Sequence, residues 1–170
     1  MTPDWMAEYF AGEKAESLLF IGAGLLAIAF SGVILAARSP WWPATIPLIA
    51  IAAIQLAVGG TVYLRTDDQV GALTEQLATD PRAFRADELA RMREVNDAFV
   101  AYRWTEVALA VVGLGLVGLG HARRRQGVLA FGVGLALQAI LMLAFDLAAE
   151  ARAHDYTEAI RAHTPSPMAR

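Results

Sequence analysis

QGVLAFGVGLALQAILMLAF, residues 126–145, decides the fold: it is a run of twenty residues without a charge that leads directly into Asp146. A helix rises about 1.5 Å per residue, so about 20 apolar residues cross the roughly 30 Å hydrocarbon core of a bilayer. The run is apolar all round and lacks the polar stripe that a helix at a water-facing surface keeps. Charge is likewise missing from residues 17–37 and 39–64, and between Glu106 and Arg123 the only ionisable group is His121. Four spans follow, at about 17–37, 42–64, 104–122 and 126–149. The predicted fold class is all-α, an integral membrane four-helix bundle.

Composition agrees. Hydrophobic residues make up 56% of the 170 and charged residues 18%, against about 45 to 50% and about 25% in soluble domains. Asp4, Glu8, Glu13 and Glu16 outnumber Lys14 ahead of the first span, the reverse of a basic signal-peptide n-region, so that span is expected to stay in place. The absence of cysteine excludes thiolate metal sites, disulfide exchange and cysteine nucleophiles.

Trp41 and Trp42 open the second span and Trp104 the third, where amphipathic rings favour the headgroup level. Between these spans lies the one long polar segment, residues 65–103. Asp80 is a suitable N-cap with Pro81 at the first helical position. The spacing of Phe84, Leu89, Met92, Val95, Phe99 and Tyr102 predicts an amphipathic helical insert, with a short helix before Asp80 and a longer one after it, lying over the bundle mouth or along the membrane surface. Residues 1–156 form a single membrane domain on this reading, and 157–170 a mobile C-terminal tail.

Four spans place both termini and the 65–103 loop on one side. All seventeen acidic residues then share that side, and the two short turns hold Arg38, Arg123, Arg124 and Arg125. The arginine cluster favours cytoplasmic short turns and termini outside, in a bacterial inner membrane. The halves also read as a tandem two-helix repeat: Glu16 and Glu106 lead into odd spans, Gln55 and Gln138 sit within even ones, and Asp67 and Glu150 follow each glutamine by twelve residues.

From Val107 to Gly120 the third span offers only fourteen uncharged residues, so Glu106 or His121 must lie close to the hydrocarbon, where ionisable side chains are costly and face the bundle interior. On the fourth span Gln138, Met142, Asp146, Glu150 and His154 recur every four residues as one slowly rotating stripe. These positions suggest an acidic ligand pocket at the terminus-side mouth, formed by Glu16, Glu106, Asp146, Glu150 and His154, with Tyr102, Arg65, Arg103 and Gln138 beside it. A cation, an amine or a lipid headgroup would suit it. Glu106, Asp146, Glu150 and His154 could instead hold a divalent metal, although the Glu-x-x-His spacing of di-iron bundles is missing. A third possibility is that Arg65, Arg103 and Arg152 neutralise the acids as structural ion pairs.

Other motifs carry less. Gly113-Leu-Gly-Leu-Val-Gly118 matches a dinucleotide fingerprint in letters but follows no strand, so it reads as a helix-packing face and no nucleotide is expected. His121 and His154 fall at opposite ends of the bundle, which disfavours haem. A net charge of -3 gives no support to nucleic-acid binding. No nucleophile or metal motif reaches the usual specificity; the alternatives to a binding or transport module are a structural or accessory membrane protein, such as an assembly partner, small subunit or immunity factor, and, third, a metal-dependent membrane enzyme with His154 or Glu150 as base. Membrane lipids are the expected partners, with a second copy or another protein able to dock through helix 82–103 or the glycine-rich faces. The run Gln55-Leu-Ala-Val-Gly-Gly-Thr-Val-Tyr-Leu-Arg65, with Tyr102-Arg-Trp-Thr-Glu106 and the segment from Gln138 to Glu150, resembles an uncharacterised family of small bacterial four-transmembrane-helix proteins. The resemblance covers Glu13 to about Tyr156 and implies no activity.

Overall fold

The structure, a computed structural model, describes residues 2–163. Four long helices, α1 (Asp4–Ala36), α2 (Thr45–Thr79), α3 (Pro81–Ala122) and α4 (Gln126–Ala162), run up and down as an antiparallel bundle. A 3-10 turn, Trp42–Ala44, leads into α2. Among the described residues there is no strand. Each of the four helices is long and apolar enough to cross a membrane.

The two pairs α1/α2 and α3/α4 are tightly packed hairpins, joined through α2 against α4, α1 against α4 and α2 against α3. Their short turns close alike. Arg38 follows α1 with φ 47° and Arg124 follows α3 with φ 52°. In each turn the next amide bonds back to a carbonyl in the last helical turn, Ser39 N to Ile34 O and Arg125 N to Gly120 O, which satisfies helix-end carbonyls.

The buried positions fall seven apart along three helices: Phe10, Ser17, Gly24 and Ser31 on α1; Thr45, Ala52, Gly59 and Thr66 on α2; Glu106, Gly113 and Gly120 on α3. A seven-residue seam is the signature of left-handed helix packing. In the apolar half the seam is built from small residues, so the backbones come close. A Cβ on Gly113 would stand 2.6 Å from the amide nitrogen of Ala136, and one on Gly134 would stand 2.6 Å from the carbonyl oxygen of Ala44. The large side chains there, among them Leu18, Leu26, Val111, Leu114 and Ile140, point outward and are exposed. Such an outward-facing apolar surface accords with helices long and apolar enough to cross a membrane.

The other half has the opposite design. Met6, Tyr9, Phe10, Phe84, Met92, Ala153, Tyr156 and Ile160 form a core of large side chains beneath an exterior that carries most of the charge. Three expectations change here. Residues 65–103 are not an insert lying over the mouth or along the membrane surface: α2 and α3 continue straight out of the apolar half and meet at Asp80, the single residue between them. Asp80 caps α3 as expected, its Oδ1 accepting from the amides of Arg82 at 3.1 Å and Ala83 at 3.0 Å. The apolar face of helix 82–103 is directed largely into the bundle's own core, with Met92 wholly buried and Leu89, Val95 and Phe99 partly buried against it. Finally, α4 does not give way to a tail at residue 157. It runs to Ala162 because Tyr156, Thr157 and Ile160 are buried in the polar-half core; the remainder of the expected tail, 164–170, lies outside the described residues.

Candidate functional site

Where the small-residue half meets the large-residue half, the bundle carries a layer of ionisable side chains. Three of its acids have arginine partners. Glu13 meets Arg65 at 3.5 Å, Glu16 meets Arg152 across the α1–α4 seam, and Glu150 takes a two-pronged contact from Arg103 at 2.9 and 3.0 Å. On the outer edge Lys14 pairs with Asp67 at 2.6 Å and stands over the Tyr63 ring, 4.8 Å from its centroid. All three arginines named from the sequence as neutralising groups therefore pair with acids.

Glu106 and Asp146 are different. They are neighbours across the α3–α4 seam whose carboxyl groups interact with one another, and among the described residues neither is in an ion pair. Glu106 is only 5% exposed, and its Oε2 has no hydrogen-bond partner. Its position follows from the seam: it occupies the α3 heptad position filled by Gly113 and Gly120 further along. It therefore points inward, while His121 at the far end of the same helix is exposed. Asp146 is close enough to Glu16 for their charges to interact, and Glu13 is close to Glu16 in turn. Glu150 is likewise close enough to Asp146 for its charge to act on it, so Asp146 has carboxyl neighbours on α3, on α1 and on its own helix.

The other expected site residues lie apart. Helix geometry explains why. Steps of four residues advance a helical stripe by about 40° and about 6 Å, so Asp146 and His154 differ by about 80° and about 12 Å. His154 is exposed in a shallow groove with Asn96, Asp97 and Glu150, and among the described residues no three His, Asp or Glu side chains converge as metal ligands. The set Glu106, Asp146, Glu150 and His154 is not assembled. Tyr102 is 55% exposed and rests edge-on against Phe99. Gln138 is buried deeper in the bundle, accepting from Gln55 Nε2 at 3.3 Å and donating to the carbonyl of Leu48 at 3.4 Å; the two glutamines join α2 to α4.

A second polar cluster, absent from the sequence-based expectations, sits inside the core of the polar half. Glu88 is 2% exposed. Arg91 donates to it from Nε at 2.8 Å and from Nη2 at 2.6 Å, and the Tyr156 hydroxyl donates at 2.9 Å. Tyr9 stacks on Tyr156 with ring centroids 4.1 Å apart. Burial, then the charge of Glu13, pushes the Tyr9 phenol up to about 12. Burial followed by the Glu88 charge pushes the Tyr156 phenol up as well, and the Glu88 contacts raise Arg91 against the opposing effect of its burial. The warning in the sequence is Glu88 itself, four residues from both Phe84 and Met92 on an otherwise apolar face. Both oxygens of Glu88 and the Tyr156 hydroxyl are bonded within the cluster, so it ties α3 to α4. Compared with known proteins, the chain matches no family model, no curated protein and no solved structure.

Proposed function

We propose that this protein is a membrane-embedded binding module for a primary ammonium group, held between Glu106 and Asp146. One observation carries the reading: Glu106 is nearly fully buried with a carboxyl oxygen that has no hydrogen-bond partner, and neither it nor its neighbour Asp146 is in an ion pair among the described residues, in a layer where Glu13, Glu16 and Glu150 each have an arginine. A buried unsatisfied acceptor costs about 1 to 3 kcal/mol, so a group supplying N–H donors and positive charge is the natural complement. A primary ammonium has three donors and no acceptor. A calcium ion seeks six to eight oxygens and magnesium near-ideal octahedral geometry, which two carboxyls do not supply. Trp104, 65% exposed two residues before Glu106, suits the headgroup level, so the ammonium could be carried by a free amine or by a lipid headgroup.

The test is calorimetric titration of methylammonium into the full-length protein in nanodiscs of phosphatidylcholine and phosphatidylglycerol, with tetramethylammonium as a cation without N–H donors. Saturable binding of methylammonium alone is expected, lost in Glu106→Gln and Asp146→Asn. Weakening of this binding by phosphatidylethanolamine in the disc would identify the headgroup as the source. Wild-type protein that binds nothing, or variants that bind as well as wild type, would overturn the reading.

Under this reading the protein lies in a bacterial cytoplasmic membrane with its termini outside, so the site opens outward and Arg123 to Arg125 face the cytoplasm. The lack of native cysteine makes this simple to check: Asp80→Cys should react with an impermeant maleimide in intact cells and Arg124→Cys should not. A second reading, an accessory subunit, draws on Gly115 and Gly118, where an added Cβ would meet nothing within 4 Å and another helix could approach closely.

A further inference from the structure

We infer that the short-turn end of the bundle is a binding site for the headgroup of an anionic phospholipid, held by Arg38 of one turn and Arg124 of the other. The inference is independent of the ammonium site, which lies at the other end of the apolar half. Both turns close as the same motif. Arg38 N bonds to Leu35 O and Ser39 N to Ile34 O; Arg124 N bonds to His121 O and Arg125 N to Gly120 O. In this motif the residue after the C-cap takes a left-handed conformation and is ordinarily glycine, sometimes asparagine. Here it is arginine twice, with φ 47° at Arg38 and 52° at Arg124, a conformation that crowds Cβ against the backbone. Strained backbone held at matching positions points to a use for the side chain. Countering the partial negative charge of the helix end does not require it, because a base anywhere in the last turn would do so without strain.

The charges of the two turns gather at one surface. Pro43, which follows the first turn, packs on the start of α4 just after the second, where a Cβ on Gly127 would stand 3.6 Å from Pro43 Cγ. Arg38, Arg123, Arg124 and Arg125 are all exposed, and neither turn contains an acid. Among the described residues none of the four is in an ion pair. A phosphate is the complement of such arginines, whose planar forks match its oxygens. Trp41 and Trp42 are exposed at the same level, and tryptophan favours the headgroup region. Ile46 and Ile49 carry the exposed apolar surface onward from them along α2. Phosphate at the turns with apolar surface beneath is the layout of a phospholipid, and arginines beside a membrane favour its anionic forms.

The experiment uses the full chain with Trp104→Phe in nanodiscs, so that Trp41 and Trp42 are the tryptophans close to the acyl chains. Tryptophan quenching is followed across discs with increasing chain-brominated phosphatidylglycerol in phosphatidylcholine, and across the mirror series in which phosphatidylcholine carries the bromine. Phosphatidylglycerol should quench as if enriched around the turns by about 5-fold or more, the effect of a single arginine beside a membrane surface. Arg38→Asn and Arg124→Asn should each remove most of that enrichment. In phosphatidylcholine alone both should be at least as stable to heat, followed by circular dichroism, because asparagine enters the left-handed region more readily. Arg123→Gln removes the same charge from a C-cap with an ordinary φ of -95° and should cost less enrichment. Equal quenching by the two lipids overturns the inference. Equal losses in all three variants also overturn it, since they would mean diffuse attraction to a basic surface. So does a loss of stability in phosphatidylcholine alone that is shared by the asparagine variants and by Arg38→Gly and Arg124→Gly, since the arginines would then serve the fold.

Discussion

A site built from two carboxyls without a base against them should weaken the fold that holds it, and Glu106→Gln measures by how much. In the native protein the Glu106 Oε2 is buried without a partner, a deficit of about 1 to 3 kcal/mol. The substitution replaces one carboxyl of the facing pair by an amide of nearly the same shape, whose N–H donates to Asp146. A hydrogen bond to a charged group contributes about 1.5 to 3 kcal/mol. With some loss for imperfect geometry, a net stabilisation of about 1 to 3 kcal/mol is expected, and Asp146→Asn should move in the same direction. Glu16→Gln provides the contrast. It strips the half-buried Arg152 of its partner and should destabilise by about 1 to 3 kcal/mol. The assay is unfolding by sodium dodecyl sulfate in mixed micelles, followed by helical circular dichroism and compared with methylammonium binding. The expected pattern is greater stability with lost binding for Glu106→Gln, and lower stability for Glu16→Gln. If Glu106→Gln destabilises as Glu16→Gln does, the facing carboxyls are a structural contact and the functional assignment fails.

Arg91→Met leaves Glu88 buried without its countercharge and should cost about 3 to 5 kcal/mol, whereas the double change Glu88→Leu with Arg91→Met should recover most of that loss; the same unfolding assay compares the two. Tyr9, pushed up to about 12 by burial and by Glu13, keeps its proton more strongly when folded than when unfolded. Its contribution is therefore fully present below about pH 10 and is lost between about 10 and about 12; Tyr9→Phe should flatten the decline in stability across that window. Gly113→Val would drive a branched side chain into the Ala136 backbone and should destabilise by at least about 1 to 3 kcal/mol, while Gly115→Val, facing open space, should leave unfolding nearly unchanged.

The apolar half was legible because lipid imposes a simple rule. Runs such as 126–145 are long, uncharged and apolar on every side, and the helices they predict are present. The polar half was harder because its apolar positions look like one amphipathic helix when read alone. Phe84, Met92 and Phe99 give the right periodicity, but nothing local says that Met6, Tyr156 and Ile160, from the two ends of the chain, cover them. Reading 65–103 as a surface-lying insert and placing the end of the last helix before residue 157 share one cause, since Phe84 and Met92 pack in the same core as Tyr156 and Ile160. The site was legible to the same degree. The short third span requires Glu106 or His121 near the hydrocarbon, a constraint within one helix that does not choose between them; the structure buries Glu106 and exposes His121. The pairing of Glu13, Glu16 and Glu150 with Arg65, Arg152 and Arg103 depends on which helices are neighbours, so it could be named but not chosen. His154 was grouped with Asp146 because steps of four look like one face, although the accumulated rotation carries it out of the bundle.

The position of the carboxyl pair follows from a change in packing along one seam. On α3 the seam runs Met92, Phe99, Glu106, Gly113, Gly120, and each step is seven residues. In the polar half water drives large side chains inward, and Met92 and Phe99 fill the axis. In the apolar half there is no such drive, and the helices cohere by close approach over glycine. At the junction neither device applies: the backbones are not yet in contact, and the large side chains have ended. That level can hold an acid inside the bundle without displacing a core residue, and Asp146 on α4 meets it there. Moving the acid by one heptad along the same face separates these causes. Glu106→Ala with Phe99→Glu would put a carboxyl among large core side chains, and Glu106→Ala with Gly113→Glu would press one against the Ala136 backbone. Both are expected to fail to fold under conditions in which Glu106→Ala alone folds, as read by helical circular dichroism. A stably folded protein with the acid at position 113 would refute the account of why the site lies where it does.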